Sequence, residues 1–238
     1  MKQIASFLLL MLMLVLAATA CTVQPASTVS RPDTYYESVA VDPPVASLFT
    51  ADADVLSDEA IATALDFRYA PPALSRIALM SFAPDSWSEW SEELAVASER
   101  MKTDVADRLL ASPHVYDASY LPSILVPQVR TVPHLREAAA RYQADLLLVY
   151  RSYCRSFERY RTFSADETRA FCGVEAVLLD TRTGLVPFTS TATRAFEAQQ
   201  NDADMNFRET ILKAQLKAIN EALGDISAEV VIFLSNGR

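Results

Sequence analysis

Beyond residue 56 the apolar positions fall into two rhythms. "RIALMSF" (76–82), "HVYDA" (114–118), "ADLLLVYRSYC" (144–154), "CGVEAVLLD" (172–180) and "LVPFTSTATRAFEA" (185–198) are compact apolar or alternating runs and predict strands. Between them the spacing switches to that of helices. Leu94, Ala97, Met101, Val105 and Leu109 recur on one face of a helix expected from about Ser88 to Ala111, which Pro113 ends. Pro133 opens a second helix with Leu135, Ala138, Ala139 and Tyr142 inward. Ile211, Leu212, Leu216, Ile219 and Leu223 mark a third, from about Asn206 to Leu223, and "ISAEVVIFL" after Gly224 leans towards helix. A short helix, "SDEAIATAL" (57–65), precedes them all, with Ser57 as N-cap and Asp58 and Glu59 in its first turn.

The order is β-α-β-α-β-β-β-α. Helical crossovers require parallel pairing of the first three strands, and the short "TRTG" turn at 181–184 implies an antiparallel meander for the last three. The expected fold is α/β: one mixed sheet with helices packed on it in two or three layers, a single domain over residues 56–238.

The N-terminal pattern is of another kind. Ile4 to Leu16 is apolar except for Ser6, too short for the roughly 20 residues of a membrane span. Lys2 precedes it, and Ala17, Ala18, Thr19 and Ala20 lead to Cys21. This arrangement resembles a bacterial lipoprotein signal, in which a small-residue box precedes the cysteine that receives diacylglycerol. The resemblance implies a signal peptide over 1–20, acyl chains such as palmitate on Cys21, and, with Thr22 in place of an acidic residue, an outer-membrane anchor facing the periplasm. Ala18 departs from the leucine preferred three residues before the cysteine. The alternative is a conventional signal peptide with Cys21 incidental. Residues 21–55 carry Pro25, Pro32, Pro43, Pro44 and many Ser and Thr without apolar periodicity, and are expected as a flexible tether. Such a segment averages about 30 Å end to end.

Charge and composition exclude several functions. The chain has net charge −9, and removing residues 1–20 deletes only one cation, Lys2. An acidic body disfavours nucleic acid as a partner. Four glycines in 238 residues leave no phosphate-cradling loop. No nucleophile elbow or zinc-protease signature is present, and His114 and His134 stand alone. Neither a cofactor nor a metal is expected.

Two further cysteines, Cys154 and Cys172, make an even count outside the cytoplasm, and a disulfide between them would close a loop of about 19 residues; two buried free thiols are the alternative. Around them Arg151, Arg155, Arg159, Arg161 and Arg169 alternate with Tyr153, Phe157, Tyr160 and Phe163. Arginine and aromatic residues are enriched at interface hot spots. Arg151, Arg155, Phe157, Arg159, Tyr160 and Arg161 are therefore candidates for a partner surface, against a solvated hairpin neutralised by Glu158, Asp166 and Glu167. Trp87, Trp90 and Leu94 read as a staple at a helix start, and Asp85, Glu89, Glu92 and Glu93 as macrodipole complements there.

The run "REAAARYQADLLLVYRSY" followed by "VEAVLLDTRTGLVPFTSTA" is similar to a pattern shared by envelope lipoproteins, among them the curli-secretion lipoprotein and the lipoprotein activators of penicillin-binding proteins. Ala144-Asp145 with Leu147, Leu148 and Val149, and Asp180, Arg182, Thr183 and Gly184, carry the likeness over about residues 75–223. "RSFERYRTFSADETRAF" lacks the alternating lipid-facing strands of a pore hairpin, so a secretion pore is disfavoured. The resemblance implies a lipid-anchored accessory protein that docks an envelope protein and is not an enzyme. An envelope hydrolase and a structural subunit of a larger complex are the alternatives.

Overall fold

The computed structural model describes residues 36–38, 47–49, 55–82 and 91–236. Cys21, the signal segment and most of the tether lie outside the described residues, as do Asp85, Trp87, Glu89 and Trp90. Among the described residues there are six strands: β1 (Tyr36–Ser38), β2 (Ser75–Ser81), β3 (Val115–Tyr120), β4 (Leu146–Arg159), β5 (Glu167–Asp180) and β6 (Phe188–Gln199). Four α-helices accompany them: α1 (Asp58–Asp66), α2 (Glu92–Leu110), α3 (Val132–Arg141) and α4 (Phe207–Asn236).

The sheet runs β3-β2-β4-β5-β6. β2 pairs parallel with β3 and β4, while β4, β5 and β6 form the antiparallel meander. From residue 75 onward this is the expected α/β order. β2 sits second in the path because both its crossovers run through helices, and its Ile77, Ala78 and Leu79 are fully buried on both faces.

Alternation assigns the faces. Ile77, Leu79, Leu146, Leu148, Val174 and Leu178 point towards α2 and α4. Ala78, Met80, Leu147, Val149 and Leu179 point the other way, towards Leu135, Ala138 and Ala139 of α3. The result is three layers.

Ser57 caps α1 as expected, whereas α2 begins at Glu92, later than the expected Ser88, with Ser91 as its N-cap. Ser57 Oγ accepts from the Ala60 amide at 3.2 Å, and Ser91 Oγ from the Leu94 amide at 3.2 Å. α4 does not stop at Gly224; it continues for 30 residues in all. One finding departs from the expected tether over 21–55: Tyr36–Ser38 pair antiparallel with Ser156–Glu158. β2 borders β4 only as far as Tyr150, so the outer stretch of that edge is open to another strand.

Candidate functional site

β4 and β5 are both 14 residues long and pair without interruption from Leu146↔Asp180 to Arg159↔Glu167. The arginine-rich segment is therefore no separate insertion. It is the outer half of the two central strands of the meander, an arm continuous with the core. Small residues make this possible: Ser156, Thr168, Ala170 and Cys172 are buried on the α4 side. The Gln215 amide of α4 donates to Ser156 Oγ at 2.8 Å.

Among the described residues, the opposite side of the arm is open. α3 has only ten residues, and its buried contacts reach the inner residues Leu147, Val149 and Leu179. Beyond them the sheet presents Arg151, Tyr153, Arg155, Phe157 and Arg159 from β4, with Glu175, Gly173, Phe171, Arg169 and Glu167 directly opposite on β5. Tyr153 is 46% and Phe171 36% exposed.

Cross-strand pairs order this face. Arg151 bonds Glu175 at 2.6 Å, and Arg169 reaches Glu197 of β6 at 3.2 Å. The Arg169 guanidinium lies 4.8 Å over the Phe171 ring, which meets Phe157 edge-on at 5.7 Å. The Tyr153 ring lies across Gly173; a Cβ added there would come within 2.3 Å of Tyr153 Cζ.

Glu167 closes the arm's tip. Its carboxylate accepts from Arg161 at 2.7 Å, Arg159 at 3.3 Å and the Gln199 amide at 2.7 Å. Burial alone would raise its pKa, but these donors outweigh burial and hold it below the usual glutamate value. Tyr160 sits past the strand end, donates to Glu158 and packs edge-on against Phe207 at the start of α4, 5.4 Å away. The bond to Glu158, helped by burial, pushes its phenol up to about 12.

The expected partner surface thus divides. Arg151, Arg155, Phe157 and Arg159 share the open face, Arg159 and Arg161 hold Glu167, and Tyr160 belongs to the arm's junction with α4. Phe171 and Glu175 complete the face; the sequence signal for them is their position opposite Arg155 and Arg151 once the hairpin register is counted from the turn. On the far side of the sheet Cys154 and Cys172 are directly opposed and joined, with Cα atoms 4.2 Å apart.

Other candidate groups among the described residues make local polar contacts. His134 Nδ1 lies 2.8 Å from Thr131 Oγ1 at the start of α3. Glu93 pairs with Lys213, which also bonds Asp204 at 2.7 Å. Among the described residues no cluster of three or more His, Cys, Asp or Glu is placed to hold a metal ion, and no helix is long and apolar enough to cross a membrane.

No protein-family model matches the chain, and no curated protein matches it. Similar solved structures include a Caulobacter crescentus CB15 protein named as a lipoprotein, at 14% identity and TM-score 0.38, covering 68% of this chain and 92% of the other. A hypothetical protein from Chlamydia trachomatis aligns at 13% identity and TM-score 0.39, over 68% and 98%. A minor lipoprotein from Acinetobacter baumannii aligns at 12% and 0.32, over 69% and 93%.

Proposed function

We propose that this chain is a lipid-anchored accessory protein of the bacterial outer membrane, facing the periplasm, that acts by docking an envelope protein on the open outer face of its sheet. The observation that carries the docking reading is the half-covered sheet. α3 shields the inner residues, while Tyr153, Phe157 and Phe171 stand among arginines with no helix of the described residues over them. An aromatic centre within a polar, arginine-bearing rim is the composition of a protein–protein hot spot. Arg151, Arg155, Arg159, Arg161 and Arg169 outnumber Glu167, Glu175 and Glu197 there, on a chain of net charge −9. The partner surface would therefore be flat, apolar at its centre and acidic at its rim.

The anchor rests on the Cys21 signal, and the Cys154–Cys172 bridge fits an oxidising compartment. The role is binding, without chemistry on the partner.

The test is a photo-reactive amino acid placed at Tyr153 or Phe171 in living cells, with Tyr116 on β3 as control. A discrete adduct with an envelope protein from the first two positions and none from the third is expected. Equal labelling from all three would overturn the assignment. Tyr153→Ala and Phe171→Ala are the informative loss variants. Arg159 and Arg161 are not, because their replacement also releases Glu167.

A further inference from the structure

β6 is an edge strand. It pairs with β5 along one side from Phe188 to Gln199, and no described strand borders its other side. Its twelve residues have no register shift and no internal proline, and its two charges, Arg194 and Glu197, are each paired within the chain. Long open edges of this kind are templates for strand addition, and proteins that do not use them blunt them with bulges, prolines or charges. The opposite edge, β3, has six residues, carries the Arg76–Asp117 ion pair and runs into Pro122.

We infer that β6 is the contact for a second copy of this chain, joined antiparallel about a two-fold axis through Ala192. Charge and side-chain complementarity select this occupant and this register. Facing residues in an antiparallel pair point to the same side of the sheet, so a two-fold axis must pass through a residue. With the axis at Ala192, Thr191 faces the second copy's Thr193, a favourable cross-strand pair. Arg194 faces the second copy's Ser190. The Ser190 hydroxyl donates to Glu229 at 2.6 Å, so Arg194 arrives beside an acidic side chain of the second copy's α4. Within its own chain Arg194 already bonds Asp225 at 2.6 Å, so the guanidinium bridges two acidic groups across the axis. Glu197 falls opposite the second copy's Pro187, and no like charges oppose one another. Joining two sheets edge to edge leaves the arm's open face uncovered in both copies, so this contact is independent of the docking face.

The test uses the full chain in its membrane. Ala192→Cys places one thiol on the axis, with an opposite Cα expected at about 5 Å. Mild oxidation is expected to give a chain-to-chain dimer that the unsubstituted chain and Tyr116→Cys do not form. No dimer, or equal linkage from Tyr116→Cys, overturns the proposal. A mixed disulfide between Ala192→Cys and a different protein assigns the edge to that protein and also overturns it. Sedimentation of the detergent-solubilised chain is the second readout should the cysteine variant fail to accumulate. A dimer is expected, weakened roughly tenfold by Arg194→Glu and restored by adding Glu229→Arg. A monomer at every concentration, or no rescue, refutes the arrangement.

Discussion

Asp145 and Arg182 lie 37 residues apart in the chain and 2.6 Å apart in the fold. Asp145 immediately precedes β4 and Arg182 sits in the turn between β5 and β6, so their bond ties the start of one strand to the corner that joins two others. The other Asp145 oxygen accepts from the Arg76 amide at 2.9 Å, tying in the start of β2. Around the corner Asp180 accepts from the Thr183 amide and hydroxyl at 2.7 and 2.6 Å, and Gly184 takes φ +77°. Arg136 of α3 donates to the carbonyls of Thr181 and Arg182 at 3.1 and 2.6 Å. These residues thus form the knot that fixes three strands and α3 at one end of the sheet.

This knot predicts unequal losses. The Asp145 side chain is 16% exposed and that of Arg182 65%. Asp145→Ala strands the part-buried Arg76 amide as well as the guanidinium, and is expected to cost about 2 kcal/mol. Arg182→Ala removes only an exposed ion pair and should cost less than about 1 kcal/mol. Urea unfolding midpoints check the order; equal losses would count against the role of the Arg76 amide.

Apolar rhythm was enough to read the order of elements from residue 75 onward, because β2, β4 and α2 bury nearly continuous or cleanly spaced stripes. It was not enough for Gly224. A glycine after Leu223 resembles a helix stop, yet here it serves close approach: a Cβ would come within 1.6 Å of Arg108 Nη1 on the neighbouring α2. Nor could the local pattern of Arg151–Arg161 reveal a one-sided face. That depends on the ten-residue length of α3 and on what it leaves uncovered, which is a property of the layers. The Tyr160 contact with Phe207 joins residues far apart in sequence and has no local signature.

The junction of α2, α4 and the 200–206 loop predicts a pH profile. The Asp204 side chain is fully buried. Burial would raise its pKa, but the Lys213 ammonium, the Asn201 amide and the Thr210 hydroxyl hold it below the usual aspartate value. Glu209 is held below 4.5, chiefly by the Ser91 hydroxyl and the Met205 amide. Depressed carboxylates stabilise the fold above their unfolded pKa values, and that contribution disappears as pH falls through the folded ones. Lys213 is raised above 10.5: burial opposes the charge, but Asp204 and Glu93 outweigh it. Its contribution is complete below 10.5 and fades only above. Stability is therefore expected to be level between about pH 5 and 10 and to fall below about pH 4. Lys213→Met, which leaves Asp204 buried and unpaired, should cost about 3 kcal/mol at pH 7 and soften the acid limb. Chemical denaturation across pH 2–10 measures both; an unchanged acid limb in the variant would contradict the network.

Tyr153 and Gly173 should be energetically coupled. Gly173→Ala forces the phenol ring off the strand, and overpacking of this kind is expected to cost about 1 kcal/mol. In a Tyr153→Ala background the same replacement meets no ring and should be near neutral or stabilising, since alanine restricts the unfolded chain. A double-mutant cycle on unfolding free energy reads the coupling. Additive effects would mean that the ring does not rest on Gly173. If the open face is the docking surface, Gly173→Ala should also weaken partner capture while leaving Cys154–Cys172 intact.

The bridge between Cys154 and Cys172 predicts a stability effect set by loop length, since it spans 18 residues of chain. Restricting such a loop in the unfolded state contributes roughly 3 kcal/mol. Reduction, or paired replacement by alanine, should lower the unfolding free energy by about that amount. The folded arm should survive, because β4 and β5 keep their full ladder and the clamp of Arg159, Arg161 and Gln199 on Glu167. Hydrogen exchange after reduction is therefore expected to quicken first around Ser152–Ser156 and Ala170–Val174, where the cross-link pins the register, and last at Leu146–Val149, which is covered on both faces of the sheet. Thiol counting on the denatured, unreduced chain checks the premise. If neither Cys154 nor Cys172 reacts before reduction and both react after it, the bridge is present. If both react at once, the arm is held by its ladder and salt bridges alone.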